Sequence, residues 1–205
     1  MPVQSLFPTK LYRAPLQRSN LAAFNRELTK ACLSLAREDR SGRRWSQQNN
    51  YPGYTSYASL NDLPWRFPSF AALQKKLDRH AGSFARVLKF DLTEKRMKLD
   101  SLWVNVLDPR GVHSGHIHPH AALSGTYYVS VPKGAGALKI EDPRLPLMMA
   151  APKRSDQAGA DSGAFVYLAP VPGEVLLWES WLRHEVVAGI AQRPRISISF
   201  NYAWL

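Results

Sequence analysis

The stretch 101–131, SLWVNVLDPRGVHSGHIHPHAALSGTYYVSV, decides the prediction of the fold. It holds two runs rich in apolar and aromatic residues, at 101–107 and 123–131, with Pro and Gly turns between them. Short runs bounded by turn residues are typical of β-strands. Four more runs of this kind follow, at 137–140, 164–168, 175–178 and 196–202. The chain after Asp91 is therefore predicted to consist mainly of short strands.

The first hundred residues instead show helical periodicity. Apolar residues recur at three- and four-residue steps in 20–37, after the cap candidates Ser19 and Asn20, and again in 69–89, which opens on a serine. Two amphipathic helices are predicted there. The intervening stretch 40–65 is rich in Gly, Pro, Asn and Ser, which favours a surface loop or short edge strands.

The order of these elements predicts the fold class. Helices come first and short strands follow, without the regular alternation of a parallel sheet. We therefore expect an α+β, mainly β fold: an antiparallel barrel or jelly roll with the N-terminal helices packed outside. A chain of 205 residues with 45% hydrophobic residues suits one domain. We predict a single domain over 1–205, with a helical support region at 1–100 and the jelly-roll core at 101–205.

Composition narrows the classes of function. Cys32 is the only cysteine, which excludes an internal disulfide and a thiolate cluster from one chain, so a metal would need His, Asp or Glu. No apolar stretch approaches the roughly 20 residues that span a bilayer, and the N-terminus lacks the pattern of a secretory signal. We expect a cytoplasmic protein that does not associate with membranes.

The charge balance bears on possible partners. The chain carries 27 Lys and Arg against 16 Asp and Glu, a formal net charge of +11. Such an excess favours anionic substrates, nucleic acid or an acidic protein. The basic residues are scattered, however, and no nucleic-acid-binding motif accompanies them. A solvated basic surface is the preferred interpretation, and the sequence identifies neither the substrate nor the oligomeric state.

Four of the six histidines fall within 113–120. In a strand, His116 and His118 would project to the same side, about 7 Å apart at Cα, and would form a usable chelate pair for a first-row metal. His113 and His120 leave other ligand choices open, because the proline before His120 can end the strand. The alternative is a surface loop whose histidines bond to water and backbone.

A second signal lies downstream, where His184 precedes a strand with two different faces. Polar and apolar residues alternate along this strand: Arg195, Ser197 and Ser199 with Ile196, Ile198 and Phe200. An arginine that faces a protein interior is costly unless it meets an anion. The alternation predicts either a carboxylate ligand or an acidic side chain, buried or at the rim of the barrel, as the partner of Arg195.

Five motifs follow one another in the second half of the chain. They are W-x-N at Trp103 and Asn105, HIHPHAALSGTYYVSVP at 116–132, EDPR at 141–144, P-x-P-G-E-V-L-L-W at 170–178, and H-x10-R-x-S from His184 to Ser197. With LFPTKLY at 6–12, this series resembles the 2-oxoglutarate/Fe(II)-dependent oxygenase family. The fold of that family is the double-stranded β-helix, a jelly roll related to cupins. The resemblance covers about 103–204.

The resemblance implies a metal site in which one strand supplies H-x-D or a variant and a distal histidine completes the set. The first pair maps onto His116 and His118, and the distal ligand onto His184. His118 departs from the usual arrangement of two histidines and a carboxylate, because it stands where many relatives have Asp or Glu. Three nearby carboxylates could supply an oxygen ligand instead: Asp108, Glu141 and Asp142.

The resemblance also implies a site for the cofactor 2-oxoglutarate. Arg195 and Ser197 would hold its distal carboxylate, because a guanidinium forms a charge-assisted bidentate pair with a carboxylate. Asn105 and either Tyr127 or Tyr128 would assist. Adjacent tyrosines on one strand face opposite ways, so only one of the two can line the pocket.

The implied activity is that of a dioxygenase that uses Fe(II) and 2-oxoglutarate and hydroxylates an unknown substrate with release of succinate and CO2. Two alternatives stay open: a cupin-like three-histidine metalloprotein that does not use 2-oxoglutarate, and a non-catalytic basic binding module. The long segment 144–163 is a candidate lid. His80 lies near the apolar stripe of the second helix and is predicted to be a structural histidine.

Overall fold

The computed structural model describes residues 2–205, and two antiparallel sheets form its centre. The strands in chain order are β1 (Tyr12–Pro15), β2 (Gly53–Thr55), β3 (Met97–Leu107), β4 (His113–His116), β5 (Leu123–Ser130), β6 (Leu138–Glu141), β7 (Phe165–Leu168), β8 (Glu174–Glu179), β9 (His184–Val186) and β10 (Arg195–Trp204). The larger sheet has the order β1-β8-β5-β10-β3-β2, and the smaller has the order β4-β9-β6-β7. The predicted fold class is confirmed: α+β, mainly β, with a double-stranded β-helix core.

Helices surround one side of this core. They are α1 (Leu21–Glu38), α2 (Arg40–Gln48), α3 (Leu63–Arg66) and α4 (Pro68–Leu88), with a short 3-10 turn at Leu145–Leu147. Across residues 2–205, no helix is both long and apolar enough to cross a membrane.

The main hydrophobic core lies between α1, α4 and one face of the larger sheet. Leu28 of α1 and Phe84 of α4 belong to the same buried cluster as Ile198 and Phe200 of β10. Because side chains alternate along a strand, the polar residues of β10 face the opposite way, toward the smaller sheet. The helices thus cover one face of the larger sheet and leave its other face for the space between the two sheets.

A substitution at Leu77 measures how much this core contributes to the free energy of unfolding. The side chain of Leu77 is fully buried on α4, so Leu77→Ala should lower the free energy of unfolding by about 2–5 kcal/mol through lost burial and the cavity left behind. Val87→Ala on the same helix is the matched control, because Val87 is 51% exposed, and should stay within about 0.5 kcal/mol. Denaturant unfolding measures both changes, and equal effects would contradict the described packing.

Both predicted helices are present as α1 and α4, and the six predicted strand runs correspond to β3, β5, β6, β7, β8 and β10. The predicted caps differ. Asn20 is the N-cap of α1, but its side chain makes no capping bond. Pro68 begins α4 ahead of the predicted serine, because a proline at the first position gives up a hydrogen-bond donor that the helix does not use. Two strands of the larger sheet, β1 and β2, come from the first hundred residues.

The stretch 40–65 contains a helix that its composition does not predict. It supplies the short edge strand β2, as expected, but also α2. The Asp39 carboxylate begins α2 by accepting from the Gly42 amide at 3.0 Å, and it also accepts from the hydroxyls of Tyr54 at 2.9 Å and Ser59 at 2.5 Å. Although burial alone would raise the pKa of Asp39, these hydrogen bonds hold it below its ordinary value. The segment is thereby fixed to the sheet.

Candidate active site

A pocket lies between the two sheets. Its walls come from β3, β5, β8 and β10 of the larger sheet and from β4, β6 and β9 of the smaller one. The polar and titratable side chains that line it are Tyr51, Asn105, His113, His116, His118, Thr126, Tyr128, His184, Arg195, Ser197 and Ser199. The fold thus brings together the histidine segment, the distal histidine and the polar face of β10, which are far apart in sequence.

Three histidines in this pocket converge on one point. His116, His118 and His184 each offer a ring nitrogen, and the three nitrogens lie within 4.8 Å of one another. His116 and His184 are direct partners in the antiparallel pair of β4 and β9, and their ring centroids are 4.4 Å apart. The ring of His118 is stacked on that of His184 at 5.3 Å. Such an arrangement can hold a metal ion.

Main-chain carbonyl groups orient two of these rings. Nδ1 of His184 lies 2.9 Å from the carbonyl oxygen of Leu182, and Nδ1 of His116 lies 2.7 Å from that of Ser114. A carbonyl only accepts, so Nδ1 carries the proton in both rings and the lone pair sits on Nε2. Each ring is therefore held in a form that can ligate a metal through Nε2.

Burial keeps the imidazoles of His118 and His184 neutral. It is the main cause that lowers the pKa of His184 to about 3 and that of His118 to about 4, and the neighbouring His116 adds to both effects. Burial also lowers the pKa of His113 to about 4. A metal binds neutral imidazole, so no proton must leave these rings first at neutral pH. Three uncharged nitrogen donors suit a first-row divalent ion such as iron, nickel or zinc.

The alternative carboxylate ligands lie elsewhere. Glu141 forms an ion pair with Arg183 at 3.4 Å, and Asp142 forms one with Arg144 at 2.8 Å. Asp108 is exposed, and within residues 2–205 no Asp or Glu lines the pocket that holds the three histidines. The donor set that the fold assembles is therefore made of three imidazoles, without the carboxylate of the more usual triad.

Arg195 is buried in the same pocket and lacks an acidic partner. It is only 7% exposed, and in residues 2–205 no carboxylate lies within ion-pair distance of it. Its Nη1 donates to the carbonyl oxygen of Gly136 at 3.2 Å, whereas its buried Nε has no hydrogen-bond partner. The expected acidic side chain is thus absent, and the alternative of an ion pair at the rim is wrong. A buried guanidinium without an acidic partner favours an anionic ligand.

A row of polar side chains runs beside Arg195 across three strands. Ser197 of β10 is paired with Asn105 of β3 on one side and with Tyr128 of β5 on the other, so these three share the pocket face. The ring of Tyr128 lies under the guanidinium of Arg195, whose Cζ is 5.7 Å from the ring centroid. Tyr127 does not line the pocket: it faces the main core, where its hydroxyl donates to Asn25.

The other histidines separate into different environments. His113 lines the pocket, with its ring centroid 4.4 Å from that of His116, but it lies outside the group of three converging nitrogens. His120 is exposed. His80 is satisfied by structural contacts, because Nε2 donates to the carbonyl oxygen of Leu16 at 3.1 Å and Nδ1 accepts from the hydroxyl of Tyr12 at 2.8 Å. Among the histidines that the sequence left open as ligands, His116, His118 and His184 are the three whose ring nitrogens converge.

Sequence reasoning missed Trp178 as a part of the site. Its ring meets that of His184 edge-on, with the centroids 4.7 Å apart, and it belongs to an apolar cluster behind the histidine. Its indole nitrogen is buried without a hydrogen-bond partner. The only signal in the sequence was its place at the end of the P-G-E-V-L-L-W motif, which indicated a strand. Trp178 shields one side of His184 from water.

The chain was compared with known families and structures. Residues 101–201 match the family model described as "Putative 2OG-Fe(II) oxygenase". No curated protein matches the chain in sequence. A Pseudomonas putida prolyl-4-hydroxylase has 14% identity and a TM-score of 0.62, with 95% of this chain and 92% of that chain covered. AviO1 from Streptomyces viridochromogenes has 12% identity and a TM-score of 0.62, covering 96% of this chain and 90% of that chain.

HygX from Streptomyces hygroscopicus, solved with nickel and 2-oxoglutarate bound, has 16% identity and a TM-score of 0.57, covering 96% of this chain and 82% of that chain. At these identities the likeness shows a shared fold. The family match is more specific, because residues 101–201 contain the three converging histidines and Arg195. Fe(II) and 2-oxoglutarate are the cofactors that its description names. The chain thus resembles the 2OG-Fe(II) oxygenase family over residues 101–201, as its motifs predict.

Proposed function

We propose that this protein is a dioxygenase that uses Fe(II) and 2-oxoglutarate and hydroxylates its substrate with release of succinate and CO2. His116, His118 and His184 would hold the metal, and Arg195 would hold the distal carboxylate of 2-oxoglutarate. The observation that carries the proposal is the buried guanidinium of Arg195, which has no acidic partner in residues 2–205 and lines the same pocket as the three histidines.

When bound, Fe(II) and 2-oxoglutarate supply the oxidation: one oxygen atom of O2 enters succinate as CO2 leaves, and the other enters a C–H bond of the substrate. The protein contributes binding and orientation. His116 and His184 present Nε2 in fixed directions because their Nδ1 protons are held by carbonyl groups. Trp178 limits the access of water to His184.

Arg195 and its neighbours would fix the orientation of the co-substrate. A guanidinium presents a fork of N–H donors that matches a carboxylate, and here part of that fork is free of protein partners. Ser197 and Tyr128 share its face of the sheet and add hydroxyl groups that can donate to the same carboxylate. Asn105 is more constrained, since its amide nitrogen donates to Ser199 at 3.0 Å and its amide oxygen already accepts two hydrogen bonds. We assign it a supporting role.

The first alternative, a three-histidine metalloprotein without 2-oxoglutarate, would leave the buried charge of Arg195 without an anion. No described contact specifically favours the second, a non-catalytic basic binding module.

The proposal is tested by loading the protein with Fe(II) and 2-oxoglutarate without oxygen and then admitting oxygen. We expect succinate only when protein, Fe(II) and 2-oxoglutarate are all present, at a low rate without substrate. Calorimetry of the iron-loaded protein should detect binding of 2-oxoglutarate. Metal binding without any binding of 2-oxoglutarate would exclude the dioxygenase and leave the three-histidine metalloprotein.

A further inference from the structure

A second cavity, of about 200 Å³, adjoins the pocket between the sheets. Its innermost residues line both spaces: Tyr51, Trp103, Asn105, His113, His116 and His118. The rest of its wall comes from Trp45 on α2, from Thr55 and Tyr57, and from Ile117. A group held in this cavity would lie directly against the histidines of the proposed metal site.

Aromatic rings line this cavity from its rim to the histidines. Tyr57 is 58% exposed and lies at the rim. Its ring centroid is 6.1 Å from that of Trp45 and 5.2 Å from that of Trp103. The ring of Trp103 is in turn 5.8 Å from that of His118. The wall is therefore made largely of flat, apolar surfaces, which favour an apolar occupant.

The outer wall of the cavity is preformed. Trp45 belongs to α2, which the Asp39 carboxylate ties to Tyr54 and Ser59. The buried hydroxyl of Ser46 adds a second tie, because it donates to the Gly42 carbonyl at 2.8 Å and accepts from the Thr55 amide at 3.2 Å. A wall held by this many buried hydrogen bonds needs little ordering when a ligand binds.

Three of the polar side chains that line the cavity, those of Tyr51, Thr55 and Asn105, are already engaged with one another. The amide oxygen of Asn105 accepts from the hydroxyl of Tyr51 at 3.2 Å and from that of Thr55 at 2.9 Å. The Thr55 hydroxyl also accepts from the Tyr57 amide at 3.3 Å. The hydroxyl groups of Tyr51 and Thr55 therefore already donate within the wall, so a polar group on a ligand would gain little binding energy from hydrogen bonds with them.

Charge excludes two further classes of occupant. Among the described residues that line the cavity there is no Asp, Glu, Lys or Arg. Aromatic faces alone would attract a cation, but Arg195 lines the adjoining pocket. With three neutral imidazoles as ligands, the site would keep a net positive charge even with a metal dication and the dianion of 2-oxoglutarate bound. An anion would face the negative side of the rings without a partner. The electrostatics favour a neutral group.

We propose that this cavity receives one uncharged five- or six-membered ring of the substrate and holds it against the metal-site histidines. The size agrees, because a dry apolar cavity of about 150 Å³ already accepts benzene. The part of this inference that concerns a reaction of the substrate rests on the proposed function. The binding of the ring in the cavity does not. The proposal predicts that the substrate is recognised through this neutral ring and that its remaining parts stay outside.

Three probes of equal size, each a benzene ring that carries a small group of different charge directly on the ring, test the proposal: benzamide (neutral), benzoate (anionic) and benzamidine (cationic). They are titrated into protein loaded with Fe(II) and 2-oxoglutarate without oxygen, and into the protein before loading, with tryptophan fluorescence and ligand-observed NMR as readouts. The neutral amide should bind the loaded protein at least about tenfold more tightly than either charged probe. Tightest binding of benzamidine would overturn the proposal in favour of a cation site.

Two variants locate the bound ring. Trp45→Ala and Tyr57→Ala should each weaken binding of the amide by about tenfold. Trp65→Ala is the matched control, because Trp65 is 85% exposed and does not line the cavity, and it should bind like the wild type. Circular dichroism checks folding, and the exposed Tyr57 keeps the test available if Trp45→Ala does not fold. Unchanged binding in Tyr57→Ala would overturn the proposal.

The two proposals can fail separately. If 2-oxoglutarate does not bind the iron-loaded protein, the proposed function fails, while binding of the amide before loading still decides whether the cavity accepts a ring. If 2-oxoglutarate binds and the amide does not, the dioxygenase stands and the assignment of the cavity is overturned.

Discussion

Arg195→Ala should lower the affinity for 2-oxoglutarate by about thirtyfold or more, since removal of one partner from a buried charge pair costs roughly 2–5 kcal/mol. The guanidinium of Arg195 is buried, has no carboxylate partner in residues 2–205 and retains a free Nε. Calorimetry with the iron-loaded variant measures the loss. Iron affinity should persist, because Arg195 is not one of the three converging residues.

Two further variants make this test specific. Arg193→Ala removes an exposed arginine two positions earlier and should leave the affinity for 2-oxoglutarate unchanged. Arg195→Lys keeps the charge but loses the planar fork, so its affinity should fall between those of the wild type and Arg195→Ala. Equal affinity in the wild type and Arg195→Ala would mean that another group holds the co-substrate.

His184→Ala should weaken binding of Fe(II) by more than about a hundredfold, since even a residue that only orients a ligand is worth 10- to 100-fold in metal affinity. His184 is buried, and its ring nitrogen lies within 4.8 Å of the two other candidate ligand atoms. Metal content after dialysis and anaerobic titration with Fe(II) measure the loss. Binding of 2-oxoglutarate should weaken with it, because the metal holds the other end of that molecule.

His120→Ala is the matched control, because His120 belongs to the same histidine-rich segment but is exposed and lies outside the converging group. His118→Asp restores the carboxylate that relatives commonly have at this position and should still bind Fe(II). Full retention of iron in His184→Ala would place the metal at other residues, with His113 as the first to examine.

The strands of the core were predictable because their apolar runs are bounded by Pro and Gly. The strands β4 and β9 were not, because they are only four and three residues long and carry the ligand histidines in place of an apolar pattern. The helix α2 could not be predicted either. Its sequence, RSGRRWSQQ, has no apolar stripe. The helix is held in place by the hydrogen bonds that Asp39 accepts from Tyr54 and Ser59 and that Ser46 accepts from Thr55. Tertiary contacts of this kind do not show in local periodicity.

The site was predictable where it depended on alternation within one strand. The R-x-S pattern of β10 placed Arg195 and Ser197 on one face, and both line the pocket. The choice between Tyr127 and Tyr128 depended on the register of β5 against β10, which two adjacent tyrosines do not reveal. The sequence likewise could not predict that Arg195 has no acidic partner in residues 2–205, because this depends on the distances from Arg195 to every carboxylate in the fold.

The groups that hold the Nδ1 protons of His116 and His184 belong to the main chain, at Ser114 and Leu182. Replacing the exposed side chain of Ser114 leaves its carbonyl in place, so a substitution there would not reveal the carbonyl's contribution to metal affinity. Leu182 is buried in the apolar cluster with Trp178, so a substitution there would act through packing and obscure the contribution of its carbonyl. Only a change that moves the backbone, such as a proline or a deletion beside them, would expose their contribution. The orientation of these two rings thus depends on the path of the main chain more than on hydrogen bonds from neighbouring side chains.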